Sequence, residues 1–326
     1  MLRAIACISV VYFHTTTKFG SFGLDMFFII SGFVITMIIN KGTKPKIFIL
    51  SRISRIVPLY WILTTFLLVL TILTPELFNS TTFNLTNYFK SIFFIPYYNQ
   101  NNILEPMLIQ GWTLNYEIFF YFCVSISIII SRKKKLITTL VLFIFFFVYF
   151  KYFFKESNSA FKIFFSTTLI FEFLLGVIAF YIFKFYQNIK IIAVVPIMAA
   201  IVSYIIMIYY EVETIEPNKD LRIYFYGLPS LVLVLSLCFL EKFFTNNNCM
   251  KILLNIGHAS YSIYLSHIFI IGFLKIINAK FIFFIFPDLI NHLLTIFICL
   301  ILGRLVYIFI DKPINDILKK KLNKFQ

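Results

Sequence analysis

The chain has 326 residues, of which 60% are hydrophobic, 20% aromatic and only 13% charged, with a formal net charge of +15 and a mean hydropathy of +0.91. A water-soluble domain of this size has too little interior to bury that much apolar surface, so the composition excludes a soluble globular protein and places the chain in a bilayer. The positive excess invites a nucleic-acid partner, but the placement of the charges, traced below, argues against one.

Apolar runs recur along the whole chain, each long enough to cross ~30 Å of hydrocarbon at ~1.5 Å per helical residue. They predict an all-α polytopic bundle of ten membrane helices, at about 3–19, 22–40, 57–74, 112–131, 136–151, 164–184, 190–210, 223–240, 257–277 and 289–310. No small-residue cleavage pattern follows the first run, which therefore reads as a retained helix and not a signal peptide.

That first run contains LRAIACISVVYFH. Arg3 and His14 are eleven positions apart, a rotation of about three turns plus 20°, so they share one helix face about 16 Å apart along the axis. The second run opens GLDMFFIISGF and places Asp25 across a tight outer turn from His14. A histidine beside a carboxylate is a plausible general base, because the carboxylate fixes the tautomer and stabilises the imidazolium. A paired packing contact between helices is the other reading.

Before the third run comes FILSRISRIVPLYW, where Arg52 and Arg55 share a helix face at the inner surface. Two forked guanidiniums side by side suit a phosphorylated ligand; arginines flanking a span and touching lipid phosphate are the alternative. Residues 75–111 form the longest piece outside a span, and NYFKSIFFIPYYNQ within it suits an interfacial helix or re-entrant loop on the outer side.

The fourth run begins GWTLNYEIFFYF. Trp112 reads as an interface anchor, whereas Glu117 shares a face with Thr113 at a depth of about 8 Å, which brings it near the level expected for His14 and Asp25. An ionisable group there costs about 2.5–3.5 kcal/mol on insertion scales, which marks it as functional. Glu172 in the sixth run and Arg304 in the tenth read as halves of structural ion pairs. In the ninth, ASYSIYLSH aligns Ser260, Tyr264 and His267 in a polar stripe that lines a cavity or joins helices by hydrogen bonds. The tail DKPINDILKKKLNKFQ reads as a basic amphipathic segment lying on anionic lipid.

With the N-terminus inside, nineteen Lys and Arg fall on the cytoplasmic side, among them Arg132, Lys133, Lys190, Lys324 and the Lys319–Lys321 run, against nine at or near the outer side. The bias supports ten spans with both termini in the cytoplasm. The acidic cluster Glu211, Glu213, Glu216 and Asp220 falls in an outer loop. The five cysteines are scattered without metal-type pairing, so no metal site is expected.

Taken together and in order, LRAIACISVVYFH, GLDMFFIISGF, RISRIVPLYW, WTLNYE and SYSIYLSH, with IDKP near the end, resemble acyltransferase family 3. These integral membrane enzymes include O-acetyltransferases of lipopolysaccharide O antigen and other bacterial polysaccharides. The resemblance covers nearly the whole chain. It departs from the family in having few residues before the first arginine, and in carrying Asp311 where the closing motif often has Glu.

The resemblance implies one membrane acyltransferase domain over residues 1–326, of the kind without a soluble esterase-like domain, in the bacterial inner membrane. The implied donor is a cytoplasmic acyl-CoA, usually acetyl-CoA, used as a substrate with no permanently bound cofactor. The implied acceptor is a sugar hydroxyl of a surface polysaccharide or its lipid-linked precursor. His14, oriented by Asp25, is expected to remove the hydroxyl proton for direct attack on the thioester, and Glu117 to hold a substrate or assist proton movement; a covalent acyl-enzyme on His14 or a serine is the alternative. Arg3, Arg52 and Arg55 are expected to hold the CoA phosphates. Trp112, Tyr264 and His267 are weaker candidates for substrate binding. A flippase or polymerase of lipid-linked sugars is the rival class, and a different acyl group such as succinyl is the rival within the enzyme class.

Overall fold

A computed structural model describes residues 1–77, 84–131, 134–156, 158–189, 192–213, 221–243, 247–281 and 288–323. Arg132, Lys133, Lys190 and Lys324, and Glu216 and Asp220 of the acidic cluster, lie outside the described residues. Thirteen α-helices occur among the described residues: α1 (Leu2–Thr16), α2 (Gly23–Asn40), α3 (Pro45–Leu73), α4 (Leu85–Ile92), α5 (Gly111–Ile130), α6 (Lys135–Val148), α7 (Ala160–Phe165), α8 (Glu172–Tyr186), α9 (Val194–Glu213), α10 (Leu228–Leu240), α11 (Asn248–Phe281), α12 (Asp288–Val306) and α13 (Lys312–Asn323). They carry no strand, only an isolated bridge between Tyr98 and Leu104.

Nine helical stretches among the described residues are long and apolar enough to cross a membrane, and the apolar α1 is shorter. These ten match the ten predicted runs one for one, and the fold is an all-α polytopic membrane protein. Large apolar side chains point outward along them, Phe185 being 74% and Phe309 73% exposed, as expected of faces that meet hydrocarbon instead of water.

The boundaries differ from the hydropathy reading where polar residues extend a helix past its apolar window. The third helix begins at Pro45, not near residue 57, so Arg52 and Arg55 lie within α3. Proline is well suited to the first helical turn and arginine is a good helix former, so the backbone has no reason to break there. The basic tail is likewise helical, as α13.

The chain divides into two compact units. The first comprises Met1–Met37 and Phe171–Ile310, the second Ile38–Ile170 and Asp311–Gln326. In the first unit, α1 packs against α11 and α12 through Cys7, Val11, Ala259, Ile263, Ile296 and Cys299. A second cluster joins Ala6, Phe22, Met26 and Ile29 to Met207, Tyr226 and Val234. Here α2 and α8 touch backbone to backbone: a Cβ on Gly32 would meet the Phe173 carbonyl, and one on Gly176 the Ile29 carbonyl. Small residues at such a crossing bring helices close enough for dispersion contacts to hold them in lipid.

In the second unit, α3 packs against α4, α5 and α13, and α5 against α6. The predicted outer segment contains α4, capped by Asn84, whose side chain accepts from Asn87 N–H at 3.1 Å. Ser91 ties the following loop down: its Oγ donates to Asn87 O at 2.8 Å, accepts from Met107 N–H at 2.9 Å and lies 2.9 Å from Tyr97 OH.

Candidate functional site

His14 sits half-buried in the last turn of α1. Its Nδ1 lies 2.9 Å from the Val10 carbonyl, one turn back, and 3.4 Å from Nε2 of His267 on α11. The two rings are 4.9 Å apart, centroid to centroid. His267 is fully buried, with Tyr264 at 5.9 Å on the same helix. The polar stripe Ser260, Tyr264 and His267 therefore faces inward, and its last member meets His14. Arg3 lies half-buried in the first turn of the same α1.

Among the described residues Asp25 pairs with Arg222, and not with His14 as expected. Both its oxygens are taken by Arg222, whose Nε donates to Oδ1 at 2.9 Å and whose Nη2 donates to Oδ2 at 2.6 Å. A guanidinium offers two parallel N–H donors and a permanent charge, which match a carboxylate better than one edge of an imidazole. The Arg222 Nη2 also reaches the Ser21 carbonyl at 3.2 Å, and the guanidinium lies over the Tyr226 ring at 4.8 Å.

Glu172 completes this buried group. It is fully buried at the start of α8 and feels the charges of both Asp25 and Arg222. Its expected place in an ion pair thus becomes a place beside one. Arg304, by contrast, is exposed on α12 and has no ion pair among the described residues, so it is not the partner of a buried acid. The turn between α1 and α2 is held from α9: Glu211 accepts from Gly20 N–H at 2.8 Å and Ser21 N–H at 2.9 Å. Gly20 has φ +119°, and a Cβ there would strike the Ser9 carbonyl, so only glycine turns this corner.

The second unit carries the arginines and Glu117. Arg52 and Arg55 are half-buried on α3, one turn apart, and Arg52 Nε lies 3.5 Å from Ser51 Oγ. Glu117, half-buried on α5, accepts a hydrogen bond from Tyr121 OH one turn on. Tyr121 is buried and within electrostatic reach of Arg52, Arg55 and Glu117. The structure thus groups Glu117 with the arginine pair through Tyr121. Trp112 stands half-buried in the first turn of α5, edge-on to Tyr116 at 6.0 Å.

Sequence reading missed Arg222 and Tyr121. Tyr121 had a signal, since it stands four residues after Glu117 on the same helix face. Arg222 had none, because it lies 197 residues from Asp25 and reads as an ordinary charge ahead of an apolar run. Among the described residues no three His, Cys, Asp or Glu side chains come together as a metal site.

Comparison with known proteins places the chain in a family. The exopolysaccharide production protein ExoZ of Rhizobium meliloti (strain 1021) is 34% identical over 128 residues, which cover 37% of this chain and 40% of that protein. The aligned stretch is therefore well under half the length of either protein. No solved structure matches the chain. The model of the acyltransferase domain matches residues 1–310, nearly the whole chain and every residue of both sites, and the protein therefore belongs to that acyltransferase family.

Proposed function

We propose that the protein is an O-acyltransferase of the bacterial inner membrane that moves an acetyl group from cytoplasmic acetyl-CoA to a hydroxyl of a surface polysaccharide or its lipid-linked precursor. The observation that carries the reading is His14: a histidine held by its own helix and by His267, half-buried in an otherwise apolar span, within a chain of the acyltransferase family. Imidazole is the side chain best matched to taking and returning a proton near neutral pH. The similar ExoZ protein is named for exopolysaccharide production, which supports a glycan as acceptor.

In this reading His14 removes the hydroxyl proton as the oxygen attacks the thioester carbon. The carbon–sulfur bond then breaks, and the proton returns to the departing CoA thiolate, so that no net charge is created. Arg52 and Arg55, one turn apart on α3, take phosphates of CoA. Glu117, held by Tyr121 near the arginine pair, positions the donor.

The test is replacement of the gene by its His14→Ala variant, followed by mass spectrometry of the host polysaccharide. Proton transfer of this kind is worth about 10²–10⁴ in rate, so acetyl groups should disappear while chain length is kept. Undiminished acetylation by an inserted His14→Ala protein would end the proposal. Shortened or absent chains would point instead to a transporter or polymerase.

A further inference from the structure

His14 and His267 are each tied back to their own helix, and those ties locate their protons. His14 Nδ1 lies 2.9 Å from the Val10 carbonyl oxygen, and His267 Nδ1 lies 3.3 Å from the Ile263 carbonyl oxygen. A carbonyl oxygen only accepts. A bare Nδ1 would set lone pair against lone pair at either position, so each Nδ1 carries the hydrogen. His267 Nε2 is then unprotonated, and it is this atom that sits 3.4 Å from His14 Nδ1. The His14 Nδ1–H is shared between Val10 O and His267 Nε2, which leaves Nε2 of His14 as the basic nitrogen.

We infer that His267 is the positioning residue of the transfer reaction: a buried neutral imidazole that holds His14 in the tautomer whose Nε2 is the base. The inference rests on the acyltransferase reading and deepens it. It gives His267 the role expected of Asp25, whose charge is paired with Arg222. As the acceptor oxygen bonds to the thioester carbon, its proton passes to His14 Nε2. As the carbon–sulfur bond breaks, that proton passes to the thiolate. The Nδ1 hydrogen stays in place throughout, and its bonds to Val10 O and His267 Nε2 strengthen while the ring is charged.

A neutral partner suits this location. His267 is fully buried, and a carboxylate there would have to be desolvated whenever His14 is neutral, without a full opposite charge to offset it. The rings beside the pair, Phe13 at 5.3 Å from His14 and Tyr264 at 5.9 Å from His267, restrict reorientation of the imidazoles without adding charge.

Two measurements test the assignment, one of which needs no substrate. The full chain is labelled with ¹⁵N-histidine and placed in phospholipid bilayers; it has four histidines, and variants at His258 and His292 resolve their signals. His14 should show a hydrogen on Nδ1 and a bare Nε2, and a hydrogen on Nε2 in the resting protein would overturn the assignment. The second measurement compares His267→Gln, which keeps an acceptor oxygen near the former Nε2, with His267→Leu, which keeps bulk alone. With acetyl-CoA and the host polysaccharide, Leu should lower kcat about 100-fold at unchanged KM for acetyl-CoA, and Gln should recover at least about tenfold. Equal losses in two folded variants would assign His267 to packing and refute the positioning role. Should the wild-type chain transfer no acyl group, the acyltransferase reading fails, whereas the spectrum still decides where the proton sits.

Discussion

Removing Arg222 while leaving Asp25 in place should be among the most damaging single changes outside the His14 site. In Arg222→Met, the fully buried Asp25 loses both its charge-assisted hydrogen bonds to that arginine, of 2.9 and 2.6 Å, and Glu172 beside it loses the Arg222 charge that acts on it. Breaking one partner of a buried ion pair typically costs about 3–5 kcal/mol, because the surviving charge has no solvent to return to. Loss of the bond to the Ser21 carbonyl adds about 1 kcal/mol. The double variant Asp25→Leu with Arg222→Met removes the stranded charge and should recover at least about 2 kcal/mol of that loss. Reversible unfolding in mixed detergent micelles measures all three variants, Asp25→Leu included. A loss below about 1 kcal/mol in Arg222→Met, or a double variant that loses the full sum of the singles, would refute the argument that this pair is a buried, mutually dependent clasp.

Two further predictions follow from packing. Gly176→Ala places a methyl group against the Ile29 carbonyl and forces α2 and α8 apart; it should cost about 1–3 kcal/mol despite alanine's better helix propensity, measured in the same unfolding assay. Glu211→Gln keeps one oxygen for the two backbone donors of Gly20 and Ser21 but turns an amide toward the other, and should cost about 1–2 kcal/mol. A thermal midpoint in detergent equal to that of the wild type would show that this carboxylate does not secure the turn.

The helical architecture was legible because hydropathy reports directly on whether a segment can leave water. All ten apolar runs fall on helices among the described residues, and the segment between the third and fourth holds an amphipathic helix, α4. The helix ends were less legible where Arg52 and Arg55 interrupt the apolar window, because a backbone ladder continues through any residues that tolerate helical angles. The candidate site was legible as a set of residue types and only partly as a set of contacts. Proximity in sequence suggested His14 with Asp25, eleven residues on; in the fold His14 meets His267, 253 residues away, and Asp25 meets Arg222, 197 residues away. Glu117 and Tyr121 were within reach of sequence reasoning, since a spacing of four places two side chains together on any helix.

Composition and periodicity by themselves determined that this is a polytopic helical membrane protein, that Arg3 and His14 share a face of one helix, and that Arg52 and Arg55 share a face of another. Those are properties of a segment and its solvent. Tertiary structure alone decided which group each ionisable side chain answers to, because a helical pattern states which face is polar and not which helix lies opposite it. Among buried groups that opposite partner sets the contacts: Asp25 meets a guanidinium, and His14 meets a second imidazole.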